Sequence, residues 1–181
     1  MFLSGNGISY GNIAIYSTQI IQIILEVSEL NSHSNQARAY FLEGYNCSQS
    51  VFLAFHEELG LDKEMAARLA SSFGGGMGRL REVCGAVSGM FLAAGLLQGY
   101  SDPRDAEGKK AQYALVQELA EAFRNKNGSI VCRELLGLDH KSDAPTPQAR
   151  TREYYAKRPC ADLVADAARI LEERLLQVKE A

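Results

Sequence analysis

Residues 84–99 read CGAVSGMFLAAGLLQG, a stretch that is apolar on every face of a helix. A helix hydrophobic all round must be enclosed by other elements. The stretch therefore predicts a central buried helix, from about Glu82 to Gln98, with the rest of the chain packed around it. Gly85, Ser88, Gly89 and Ala93 within it are small, so neighbouring backbones can approach closely there.

The chain beyond Ser32 supplies helical partners. Ser34 to Glu43 predicts a short helix stopped by Gly44. Asn46 is a candidate N-cap, with Gln49 three residues on as its capping-box partner. That helix carries Val51, Phe52, Phe55 and Leu59 to Gly60. Asp62 caps the next, with Met65, Leu69 and Phe73 at helical spacing before the glycine-rich stretch 74–78. After the central helix, Ser101-Asp102-Pro103 predicts a helix opening, with Pro103 at the first position, running through Tyr113, Val116, Leu119 and Phe123 to Asn127-Gly128. Ser129 caps a short segment carrying Cys132, Leu135 and Leu136, closed by Gly137. A loop follows to Pro147, and a last helical region, 148–179, is broken by Pro159. No alternating strand pattern appears after residue 30. The expectation is an all-α, single-domain helical bundle over residues 31–181, preceded by a leader or docking segment over 1–30.

Composition narrows the function classes. The chain has 181 residues, 46% of them apolar and 23% charged, with net charge −3. That balance argues against a nucleic-acid footprint. The segment 13–27, IAIYSTQIIQIILEV, is too short and interrupted for a membrane span. It also lacks a basic n-region, because the first Lys or Arg is Arg38. A cytoplasmic location is expected, and a homodimer that covers the apolar 13–27 stretch.

Chemistry is concentrated in four dispersed cysteines: Cys47, Cys84, Cys132 and Cys160. Each falls near the predicted first turn of a helix, where unpaired N–H groups and a partial positive charge favour the thiolate. No CxxC pair exists, so any shared site is assembled by folding. Singly, each cysteine also fits as a small buried hydrophobe. Cys84 stands out because it follows a glycine-rich turn and has Arg79 and Arg81 nearby. The loop Gly74-Gly75-Gly76-Met77-Gly78-Arg79 can turn N–H groups inward as an anion nest, or serve as a tight connection between packed helices. Glu82, two residues before Cys84, is either an acid/base partner or an N-terminal charge. His33 and His140 lie in polar stretches and are expected in solvent. His56, about 13 Å along the helix from Cys47, is too far to share an ion with it.

The stretches GYNCSQSVF (44–52), FGGGMGRLREVCGAVSGMFLAAGL (73–96), VCRELLG (131–137) and PCADLV (159–164) together resemble the C_GCAxxG_C_C family of redox-active proteins. The likeness spans roughly 32–175. The family label writes Gly-Cys-Ala-x-x-Gly, whereas this chain has Cys84-Gly85-Ala86-Val87-Ser88-Gly89. The resemblance implies a small helical protein with a redox or metal role, its motif cysteines being Cys47, Cys84, Cys132 and Cys160.

Three functions follow as expectations. The first is electron transfer through an iron–sulfur cluster or zinc held by the four cysteines, with Gly74, Gly75, Gly76, Gly78 and Arg79 cradling it and an electron-transfer protein as partner. The second is thiol–disulfide chemistry, with Cys84 as nucleophile, resolved by Cys47, Cys132 or Cys160, and one thiol pKa below about 8.5. The third is a helical interaction module with packing cysteines.

Overall fold

The computed structural model describes residues 32–180. The leader expected over 1–30, with its apolar stretch 13–27, lies outside the described residues. What is described is all-α. In chain order come α1 (His33–Glu43), α2 (Cys47–Ala54) and α3 (Lys63–Ala70). A 3-10 turn (Ser71–Phe73) and a glycine turn (Gly74–Met77) lead to α4 (Gly85–Gln98). The chain continues through α5 (Ala106–Asn127), α6 (Cys132–Leu135), α7 (Arg152–Lys157) and α8 (Cys160–Glu180).

The early turns form as their residues dictate. Gly44 ends α1 with φ 110°, a conformation that side chains rarely adopt. The Asn46 side chain then accepts from the N–H groups of Ser48 and Gln49, each at 3.0 Å. The Gln49 side chain returns to the Asn46 N–H at 3.0 Å, which completes the capping box. Asp62 caps α3 by accepting from Met65 N–H at 2.9 Å.

α4 is the centre of the bundle over its first half, where Gly85 to Met90 are buried together with Ala93 and Ala94. Its second half emerges, and Leu96 is 58% exposed. The small residues set how close α2 lies. A Cβ on Gly89 would meet Ser48 O at 2.5 Å, and one on Gly85 would lie 2.9 Å from Phe73 O and 3.1 Å from Cys47 Cβ. α8 packs along α1 and closes over α2 and α4. Phe41, Phe52, Phe55, Met90, Leu119, Phe123 and Leu171 are buried between these helices, each worth about 1.5–3 kcal/mol in removal from water.

Four expectations about the elements change, the first being that α2 ends at Ala54 and gives way to turns before Gly60. The central helix starts at Gly85 rather than near Glu82, because Val83 forms an antiparallel bridge with Val131. Cys84 N–H donates to Ile130 O at 2.8 Å, and Cys132 N–H to Glu82 O at 2.6 Å. Extended pairing across the sequence thus overrides local helix propensity. α5 begins at Ala106, not Pro103, because Asp105 caps it by accepting from Gly108 N–H at 2.8 Å. On α3 the buried residues are Ala66 and Ala70, while Met65 and Leu69 are about half exposed. Among the described residues no helix is long and apolar enough to cross a membrane.

Candidate functional site

The four cysteines stand at helix starts, as the predicted helix boundaries suggested. Cys47, Cys132 and Cys160 are the first residues of α2, α6 and α8, and Cys84 is the N-cap of α4. The packing gathers them. The Cys47 thiol hydrogen-bonds Cys160, and Cys84 and Cys132 lie close enough to influence both electrostatically. All four are free thiols.

The glycine turn positions one side of this group. Gly75, Gly76 and Gly78 adopt φ values of 65°, 70° and 62°, and Met77, Arg79 and Arg81 join them at 62°, 72° and 61°. Left-handed backbone at three non-glycine residues is strained and persists only where surroundings enforce it. Gly76 is needed for contact as well as conformation, since a Cβ there would sit 2.6 Å from Cys132 Cβ. The turn directs the buried Arg81 side chain toward Cys132, and its Nη1 donates to Cys132 Sγ at 3.7 Å. Arg81 Nε donates to Asp143 Oδ2 at 2.6 Å, and Nη2 forms a further short contact to the same oxygen. Asp143 Oδ1 lies 2.9 Å from His140 Nε2, and Arg79 Nη2 is 3.4 Å from Asp143 Oδ2. A connected chain thus runs from exposed His140 through Asp143 and Arg81 to buried Cys132.

A cavity of about 270 Å³ opens on the cysteines. Cys47, Cys132 and Cys160 line it, with Gly74, Gly75 and Gly78 on the glycine side and Arg79, Arg81, Arg150 and Arg158 around it. Cys84 and Gly76 sit outside this lining. Gly76 is buried against Cys132, and Cys84 is buried beneath the bridge.

The thiols differ in their acid–base character. The Cys160 thiol is lowered to about 7, first by the hydrogen bond from Cys47 and then by Arg158, Arg150 and Arg81, which together outweigh its burial. Cys47 is raised well above its ordinary value, because as donor to Cys160 it keeps its proton and because it is buried. Cys132 is raised by burial, with Arg81 opposing. Cys84 is pushed up to about 12, since burial outweighs the N–H groups of Ala86 and Val87 that face it. Burial, not Arg79 or Arg81, dominates at Cys84, and Arg81 donates to Cys132 instead.

Sequence reasoning missed Arg150, Arg158, Asp143 and His140. The signal for the first two is the run 150–158, RTREYYAKR, which places two arginines on either side of a tyrosine pair just before Cys160. Glu82 pairs with Arg133 at 3.0 Å, which fits a charge at an element start. His140 is engaged with Asp143 rather than simply solvated. His33 is also engaged, 2.7 Å from Glu172 and stacked on Phe55.

Among the described residues, no group of three or more His, Cys, Asp or Glu side chains is spaced to hold a metal ion.

A family described as "Putative redox-active protein (C_GCAxxG_C_C)" matches residues 45–174. The chain belongs to this family. The matched range contains all four motif cysteines, the glycine turn and the arginines of the cavity. No curated protein and no solved structure matches the chain.

Proposed function

We propose that this C_GCAxxG_C_C protein is a thiol–disulfide redox protein whose working couple is Cys160 and Cys47. The observation that carries the reading is that Cys47 and Cys160 line one cavity together beside Arg150 and Arg158, with the Cys160 thiol lowered to about 7 and the Cys47 thiol raised. A nucleophilic thiol is best with a pKa near the ambient pH, and Cys160 meets that condition where Cys84 does not.

The reaction balances as follows. The Cys160 thiolate attacks one sulfur of a disulfide, the S–S bond breaks, and the first leaving thiolate takes the electron pair. Cys47 gives up its proton to that leaving group and attacks Cys160 Sγ. The second substrate thiolate departs, and a Cys47–Cys160 disulfide remains. Two electrons have passed from the protein to the substrate, and an external dithiol returns them. Cys132, held by Arg81, lies next to this couple and suits a reserve thiol better than a first nucleophile.

The test is equilibration in thiol–disulfide buffers followed by peptide mapping of the linkages. The reading expects a reversible 47–160 disulfide, lost in Cys160→Ser. The competing reading, a metal-thiolate electron-transfer protein with an electron-transfer partner, rests on the convergence of four cysteines. Anaerobic purification separates the two. Stoichiometric iron with acid-labile sulfide, or stoichiometric zinc, would contradict the dithiol account.

A further inference from the structure

The charge around the cavity opposes that of the whole chain. The protein carries a net charge of −3, yet four guanidinium groups line this one cavity and no Asp or Glu among the described residues does. Asp143 neutralises part of that charge from behind, by pairing with Arg79 and Arg81. Arg150 and Arg158 have no carboxylate of their own among the described residues. Arg158 Nη2 donates to the amide oxygen of Gln148 at 2.6 Å. Arg150 Nη2 donates to Tyr45 O at 3.1 Å.

Arg150 is also held rigidly. Its guanidinium lies 4.5 Å from the Phe41 ring centroid and 4.8 Å from that of Tyr154. Its Nη1 is buried and has no hydrogen-bond partner among the described residues. A buried guanidinium N–H without an acceptor is costly in free energy. A charged planar fork with a spare donor, fixed in a cavity wall, is suited to a carboxylate.

We propose that the cavity selects anionic substrates, specifically small disulfides that carry a carboxylate, with Arg150 and Arg158 receiving the carboxylate while the disulfide sulfur faces Cys160. This assignment rests on the thiol–disulfide reading for its substrate type, but not for the anion site itself. Arg150 and Arg158 bind the non-reacting end of the substrate. They therefore set affinity and orientation for charged substrates, in addition to lowering the Cys160 thiol. A second consequence is salt dependence, because attraction between charges at a partly open cavity is screened.

A charge series of similar disulfides tests the proposal. The rate of oxidation of the reduced full chain is measured with 3,3′-dithiodipropionate, bis(2-hydroxyethyl) disulfide and cystamine, which are anionic, neutral and cationic. The expected order is anionic, then neutral, then cationic, with about tenfold between the first two. Arg158→Gln and Arg150→Gln should each lower the ratio of the anionic to the neutral rate several-fold, on top of a smaller loss common to all three compounds because both arginines also lower the Cys160 thiol. Arg158→Gln guards against the loss of packing that Arg150→Gln risks, and circular dichroism checks both folds. Equal rates for all three compounds would overturn the inference and leave the redox reading standing. Binding of 3,3′-dithiodipropionate to Cys160→Ser is measured separately by calorimetry. Salt-sensitive binding there, with no oxidation of the wild-type chain by any of the three, would uphold the anion site and overturn the redox reading. No binding there would overturn the anion site.

Discussion

At the Cys47–Cys160 corner, two thiols face each other at the mouth of a cavity beside Arg150 and Arg158. At the Cys84–Cys132 corner, two thiols are held by backbone pairing between 82–84 and 130–132 and by the Arg81–Asp143 contact. Both corners use helix starts, and both are largely out of water. Only one yields a lowered thiol, near 7 at Cys160 against about 12 at Cys84. The difference teaches that a helix N-terminus does not activate a cysteine by itself. At Cys84 the N–H groups of Ala86 and Val87 face the sulfur, and burial still wins. At Cys160 a thiol donor and the cations Arg158, Arg150 and Arg81 add to the helix start, and they exceed the cost of burial.

The largest effect should come from the packing that holds the corners together. Gly89→Val would place its Cβ 2.5 Å from Ser48 O on α2. Overpacking of that size costs about 1–3 kcal/mol or more, so the melting temperature should fall by at least about 2 °C, with loss of the Cys47–Cys160 pairing. An unchanged melting temperature would show that α2 can retreat from α4 without cost.

Next is Arg81→Gln, which strips the Cys84–Cys132 corner of its cation. Hydrogen bonds to a charged group are worth about 1.5–3 kcal/mol each, and Asp143 also pairs with Arg79. A net loss of about 2 kcal/mol is expected in denaturant unfolding. Reactivity of Cys132 should fall as well, while Cys160 keeps most of its advantage because Cys47, Arg158 and Arg150 remain. If Cys160 lost its reactivity entirely, the two corners would be one coupled unit rather than two.

Cys47→Ala sharpens the comparison from the other side. Without its hydrogen-bond donor, Cys160 should titrate closer to an ordinary thiol, and its alkylation rate at pH 7 should drop about tenfold. Cys84→Ala should leave that rate within about twofold.

The smallest effect concerns acid. Asp143 is held below the usual carboxylate range by Arg81 first and by His140 and Arg79 as well, against the cost of desolvation. A lowered folded-state pKa stabilises the fold above the ordinary carboxylate value, and this contribution is lost as pH falls through the folded value. Stability should therefore decline below about pH 4, and Asp143→Asn should flatten that decline. Asp143 is partly exposed, so the contribution is modest.

The sequence makes some of this legible and hides the rest for definite reasons. The Asn46–Gln49 capping box, the stop at Gly44 and the small face at Gly85 and Gly89 are local patterns, and the structure has each of them. The starts at Gly85 and Ala106 are not local. The first is set by pairing of Cys84 with Ile130, far along the chain. The second is set by a choice between Asp102 and Asp105 as cap, which composition cannot make. Within the site, four cysteines at helix starts could be read directly, but their different surroundings could not. Arg81 and Cys132 stand 51 residues apart, and Arg79 and Ala144, 65. Such pairs exist only once the fold has formed, and they decide which thiol ionises.

Site-resolved alkylation tests the central claim most directly. The reduced protein is treated with iodoacetamide under anaerobic conditions at pH values from 5 to 10, and each cysteine is quantified by peptide mass spectrometry. The account predicts that Cys160 is modified first, with a midpoint near 7, that Cys132 follows at higher pH, and that Cys47 and Cys84 are last. Cys84 reacting first, or four thiols titrating together at the ordinary value, would contradict it.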